Sequence, residues 1–95
     1  MATKTAFNYG RFCLTAAVNQ LYFGNLVFAD FVSASFKRHL SCDWGDMDAE
    51  DKLSNDEALK TGERLFSAYI HGVWKIWIIT ERDRSATTVL FPEDY

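Results

Sequence analysis

Leu65-Phe66-Ser67-Ala68-Tyr69-Ile70-His71-Gly72-Val73-Trp74-Lys75-Ile76-Trp77-Ile78-Ile79-Thr80 carries two runs rich in β-branched and aromatic residues around a single glycine. Period-two runs of this composition, separated by a turn residue, predict two antiparallel strands, Leu65 to His71 and Val73 to Thr80. A third run, Ala86 to Phe91, follows the polar loop Glu81 to Ser85 and completes a meander. Side-chain alternation sets Trp74, Ile76 and Ile78 on one side of the middle strand and Val73, Lys75, Trp77 and Ile79 on the other. In the first strand Phe66, Ala68 and Ile70 oppose Leu65, Ser67 and Tyr69. Neither side is a clean solvent face, so either the N-terminal segment or another chain is expected to cover the second one. A second copy packed around Tyr69, Trp77 and Ile79 is one such cover.

Upstream of these strands the apolar period lengthens. Thr15 is a good N-cap for a short helix through Phe23, with Ala17, Val18, Leu21 and Tyr22 at helical spacing and Gly24 as a left-handed stop. Asn25 caps a second helix in which Phe28, Phe31 or Val32, and Phe36 recur, before Lys37, Arg38 and His39 meet the negative end of the helix dipole. Asp48, with Glu50 and Asp51 in the first turn, starts a third helix that Gly62 ends. Its inward positions are few: Leu53, Ala58 and Leu59. The expected class is α+β, three N-terminal helices packed on one face of a three- or four-stranded antiparallel C-terminal sheet. With 95 residues, one proline and no linker, a single domain is expected over 1–95: an arm or strand over 1–12, a helical part over 13–62 and the meander over 64–92.

The chain's net charge of −3 hides a strong asymmetry. Residues 43–63 hold eight acids against Lys52 and Lys60, whereas residues 1–42 are net positive and the remainder is balanced. Ten scattered Lys and Arg in an acidic chain are the opposite of a nucleic-acid-binding footprint, so no direct nucleic-acid partner is expected. The stretch Phe12 to Phe36 has one charge, Asp30, but Asn19, Gln20, Gly24 and Asn25 interrupt it, which argues against a membrane span and for a cytoplasmic chain. Cys13 and Cys42 lack zinc-ligand spacing, and no cofactor is expected.

Asp43-Trp44-Gly45-Asp46-Met47-Asp48-Ala49-Glu50-Asp51 is the most distinctive motif. Three readings stand beside one another. Alternate carboxylates suit a hard cation, although the spacing is not that of a calcium loop, and a metal-dependent nuclease would draw on Asp43, Asp46 and Glu81. Carboxylates at helical spacing can also stand in for phosphates on a basic partner groove, extending to Asp56 and Glu57. The plainest reading is a tryptophan-anchored turn leading into a well-capped helix. In the loop Glu81-Arg82-Asp83-Arg84-Ser85, Arg82 and Arg84 are suited to bidentate contact with a carboxylate or phosphate, on a partner or within the chain's own acidic segment. His39 and His71 have no nucleophile in a suitable local context, so neither predicts catalysis.

The series Arg38-His39, Asp43-Trp44-Gly45-Asp46, Glu50-Asp51, Asn55, Ala58-Leu59, Gly62, Arg64, Ser67-Ala68-Tyr69, Trp77-Ile78-Ile79-Thr80-Glu81, Asp83-Arg84-Ser85, Thr87-Thr88 and Pro92-Glu93-Asp94-Tyr95 resembles a family of small uncharacterised proteins carried on bacterial plasmids and other mobile elements. The first 37 residues depart most from it, being more aromatic. Mobile elements carry small acidic proteins that disarm host nucleases, so the resemblance implies a non-enzymatic, protein-binding inhibitor of a host defence complex of the anti-CRISPR or anti-restriction type. Its contacts would come from Asp43, Trp44, Asp46, Asp48, Glu50, Asp51, Asp56, Glu57, Arg82 and Arg84. The alternative is a homodimeric interaction module.

Overall fold

In the computed structural model, which describes residues 5–95, the period-two runs become β2 (Leu65–His71), β3 (Trp74–Thr80) and β4 (Ala86–Leu90). β2 and β3 pair antiparallel from Leu65 opposite Thr80 to His71 opposite Trp74, and β3 pairs antiparallel with β4. A fourth strand, β1 (Arg11–Leu14), lies parallel to β4, Arg11 opposite Ala86 and Leu14 opposite Val89. The order is β1-β4-β3-β2, so the sheet is mixed rather than purely antiparallel. Four residues are too few to show a period, and the helical pattern from Cys13 onward masks the strand's end. Gly10 (φ 67) delivers it: a Cβ there would collide with the backbone of Arg84 and Ser85, so only glycine lets the chain settle beside β4. Residues 1–4 of the expected arm lie outside the described residues.

Three helices precede the meander, α1 (Ala16–Gly24), α2 (Leu26–Leu40) and α3 (Ala49–Thr61), and the class is α+β. Thr15 caps α1 through the Val18 amide, as its sequence position predicts. Gly24 is not the left-handed stop; it is the last helical residue, and Asn25 makes the break. Its extended backbone (φ −147) ends α1 while its Oδ1 accepts from the Phe28 amide at 3.0 Å and starts α2. One polar residue thus turns the chain between two helices.

Val18 of α1 and Phe28 and Val32 of α2 form one fully buried cluster with Tyr69, Ile76, Ile78 and Val89. Tyr69 stands opposite Ile76, on the side of the sheet that faces these helices, and is 0% exposed. It therefore does not belong to the second face with Trp77 and Ile79. That face is covered in part by the C-terminus: after β4 a 3₁₀ turn (Pro92–Asp94) brings the Tyr95 ring to 5.8 Å from Trp77, which also packs edge-on to Phe66 at 5.0 Å. Ala68, Ile79 and Leu90 are buried beneath them. The N-terminal segment goes to the helix side instead, where Phe7 meets His39 and Tyr9 meets Phe36, edge to ring.

Candidate functional site

Residues 43–48 run along the outer edge of β2, and their chemistry is that of an edge strand needing partners. The Asp46 amide donates to the Ala68 carbonyl at 2.7 Å and the Ala68 amide donates to the Trp44 carbonyl at 3.3 Å, a parallel bridge centred on Gly45 and Ala68. The Asp46 carboxylate then accepts from the Ile70 amide at 2.8 Å. One step toward the start of β2, Asn55 of α3 clasps Phe66 from both sides, donating to its carbonyl oxygen and accepting from its amide. Both outward backbone groups of Phe66 and Ala68 and the amide of Ile70 are thereby engaged.

The remaining acids of the loop are equally engaged. Arg38 grips Asp43 through two nitrogens, at 2.7 and 3.2 Å, with its guanidinium 5.0 Å from the centre of the Tyr69 ring. The Arg38 hydrogen bond holds the Asp43 carboxyl below the usual carboxylate range. Tyr69 donates its hydroxyl to the Asp43 carbonyl at 2.8 Å, and burial raises its phenol well above the ordinary value. Trp44 is buried and donates its indole N–H to Asp56 at 2.9 Å. Asp48 is the N-cap of α3, accepting from the Asp51 amide. What is left for solvent is the outer side of α3. Asn55, Ala58 and Leu59 face inward, and Leu53, two positions before Asn55, points about 160° away from it at 100° per residue. It is 65% exposed rather than inward as the sequence predicts. Glu50, Leu53, Ser54, Glu57 and Thr61 line one open hollow with Glu63.

Glu63 also joins the acidic segment to the loop between β3 and β4. Its carboxylate lies 3.5 Å from Arg82, and its carbonyl accepts from Arg84 at 2.8 Å. Arg84 adopts a left-handed backbone (φ 60) and also reaches the Glu81 carbonyl, so it holds the loop together from within. Asp83 accepts from the Ser85 amide, and hydrogen bonding by Ser85 lowers its carboxyl pKa. Gly62, Glu81, Arg82, Asp83 and Ser85 line an open hollow there. Arg82 remains largely exposed and Arg84 does not present its guanidinium freely.

The sequence missed a chain of buried polar side chains. His39 is fully buried at the end of α2, with Ser67 Oγ 2.6 Å from Nδ1 and Thr80 Oγ1 2.8 Å from Nε2. Thr80 Oγ1 is 2.7 Å from Thr87 Oγ1, which donates to the Tyr9 carbonyl at 2.8 Å. Ser67, Thr80 and Thr87 occupy inward positions of three adjacent strands, and that parity was the available signal. A serine beside a histidine has the spacing of a nucleophile and base, but all four side chains are sealed from solvent, so no substrate reaches them. The histidine is pushed down to about 3 by burial and is neutral.

Among the described residues no three His, Cys, Asp or Glu side chains come together in a group fit to hold a metal ion, and no helix is long and apolar enough to cross a membrane. No family model matches the chain, and neither a curated protein nor a solved structure shows significant similarity to it.

Proposed function

We propose that this chain is a small acidic accessory protein of a mobile element, a non-enzymatic binder that inhibits a host nuclease defence system of the CRISPR or restriction type. The observation that carries this reading is the division of labour within the acidic segment. Asp43, Asp46, Asp48 and Asp56 are occupied by the chain's own donors, whereas Glu50 and Glu57 are turned to solvent on the same side of α3 as the exposed Leu53, with Asp51 exposed on another side. An apolar knob flanked by carboxylates on an exposed helix face suits a basic groove, whose cationic side chains bring long-range attraction while their stems cover Leu53. Arg82, at the far end of the same surface, supplies a contact of opposite sign.

The test is an affinity capture from host lysate at low and high salt, made in parallel with the wild-type chain and Glu50→Lys/Glu57→Lys, followed by mass spectrometry and a cleavage assay on the retained nuclease. A nuclease subunit held at low salt, released at high salt, lost by the variant and inhibited by the wild type supports the proposal. Capture or inhibition indifferent to the charge reversal removes the acidic mechanism.

A further inference from the structure

The two edges of the sheet are treated differently. β2 is closed by Asn55, by the Trp44–Asp46 bridge and by the Asp46 carboxylate. β1 has β4 on one side and, among the described residues, no partner on the other. Which groups are open follows from the parallel register. Arg11 donates its amide to Ser85 and Thr15 donates to Val89, so Arg11, Cys13 and Thr15 turn their backbone groups toward β4. Phe12 and Leu14 turn theirs outward, and Phe12 is 44% exposed beside Phe36.

We propose that β1 pairs antiparallel with β1 of a second copy, with Cys13 opposite Cys13, joining two sheets into one across a two-fold axis. This does not rest on the function proposed above. The strand is complementary to itself in that register. Phe12 faces Leu14 of the second copy in a hydrogen-bonded pair, each amide donating to the other's carbonyl, and the two-fold repeats the exchange, so every outward backbone group of Phe12 and Leu14 is satisfied. Phe12 and Leu14 lie on the same side of the sheet, so the pairing also sets each apolar side chain against the other. Charge selects the same register. Arg11 comes opposite Thr15 of the second copy, and Thr15 donates its hydroxyl to the Asp94 carboxylate at 2.8 Å. Arg11 is exposed and, among the described residues, forms no ion pair within its own chain, so each Arg11 meets the Asp94 carboxylate of the other copy. A foreign extended strand would satisfy the backbone but not this reciprocal Arg11–Asp94 match.

Sedimentation equilibrium over a wide concentration range is the first measurement, with a concentration-dependent dimer expected. Phe12→Pro removes an amide hydrogen that has no intramolecular partner, and edge strands tolerate proline there, so the variant should stay folded by circular dichroism and lose the dimer. Arg11→Glu, which touches no packing, should weaken the dimer on the order of tenfold and do so less at high salt. In a Cys42→Ser background, mild oxidation should link Cys13 to Cys13, since directly opposed non-hydrogen-bonded residues are within disulfide reach. A chain that is monomeric at every concentration overturns the proposal and leaves the edge to a foreign strand. So does a dimer that survives Phe12→Pro or Arg11→Glu unchanged.

Discussion

Thr87 Oγ1 donates its one hydrogen to the Tyr9 carbonyl, and the protons behind it follow in sequence. Thr80 must then donate to Thr87, which leaves Thr80 to accept from His39 Nε2–H. A neutral His39 therefore has a bare Nδ1, and Ser67 donates to it. Protonating the ring would place a second donor against Ser67 and a charge in a site closed to water, which is why burial depresses the pKa from 6.5 to about 3. The unfolded chain binds this proton more readily, so the stability contributed by neutral His39 is complete above about pH 6.5 and is withdrawn as the pH falls toward 3. At about 1.4 kcal/mol for each pKa unit, the loss over that window is on the order of 5 kcal/mol. Urea unfolding of the wild type should show stability rising with pH between 4 and 6.5, most steeply in the acid half of that range, and His39→Gln, less stable at pH 7, should lose that part of the pH dependence; equal pH dependence would refute the assignment. Thr80→Val, which strands the Nε2–H, should cost about 1–3 kcal/mol by the same measurement.

The edge of β2 shows how short-range chemistry fixes whole elements. Helix α3 has few apolar contacts, so its position depends on the Asn55 clasp on Phe66 and the Trp44–Asp56 bond. Asn55→Ala leaves both backbone groups of Phe66 short of a partner and should lower stability by roughly 1–3 kcal/mol, with faster aggregation through the newly open edge. Thermal melts and light scattering read the two effects separately; an unchanged melt would show that the clasp contributes nothing. Gly45 is the other fixed point. At φ 79, with the Ala68 carbonyl and Tyr69 ring where a Cβ would go, Gly45→Ala should cost at least about 1–3 kcal/mol. Most elements were legible because they carry their own local signals: alternation for β2 and β3, Asp48 and Gly62 at the ends of α3, Thr15 before α1. What escaped was set by distant partners. An N-terminal strand was one of two readings of residues 1–12, but its bounds at Arg11–Leu14 and its parallel pairing are set by β4 beside it, and Leu53 is exposed because Asn55, a polar residue, takes the inward place. For the candidate site, the acids were legible as a cluster, but which of them are spent on the β2 edge depended on strand order.

The core divides into a large cluster between α1, α2 and the sheet and a small one of Trp44, Ala58 and Leu65, to which Phe7, Met47 and Leu59 add partly buried surface. β3 is central, with neighbours on both sides, so opening its amides requires breaking the large cluster. Helix α3 is held by the small cluster and two polar clasps, and most of its residues are exposed. Local opening free energies follow such differences in buried contact, so the region from Asp43 to Thr61 should open without global unfolding. Native-state hydrogen exchange should give β3 and α2 amides the full unfolding free energy and α3 amides a markedly smaller one. Asn55→Ala should lower the α3 values more than it lowers those of β3. The proposed binding surface would then sit on the least stable unit of the fold, and a basic partner covering Glu50, Leu53 and Glu57 should slow α3 exchange first. Uniform protection across α3 and β3 in the free chain would mean that the two clusters unfold as one, and the coupling of partner binding to α3 opening would fall with it.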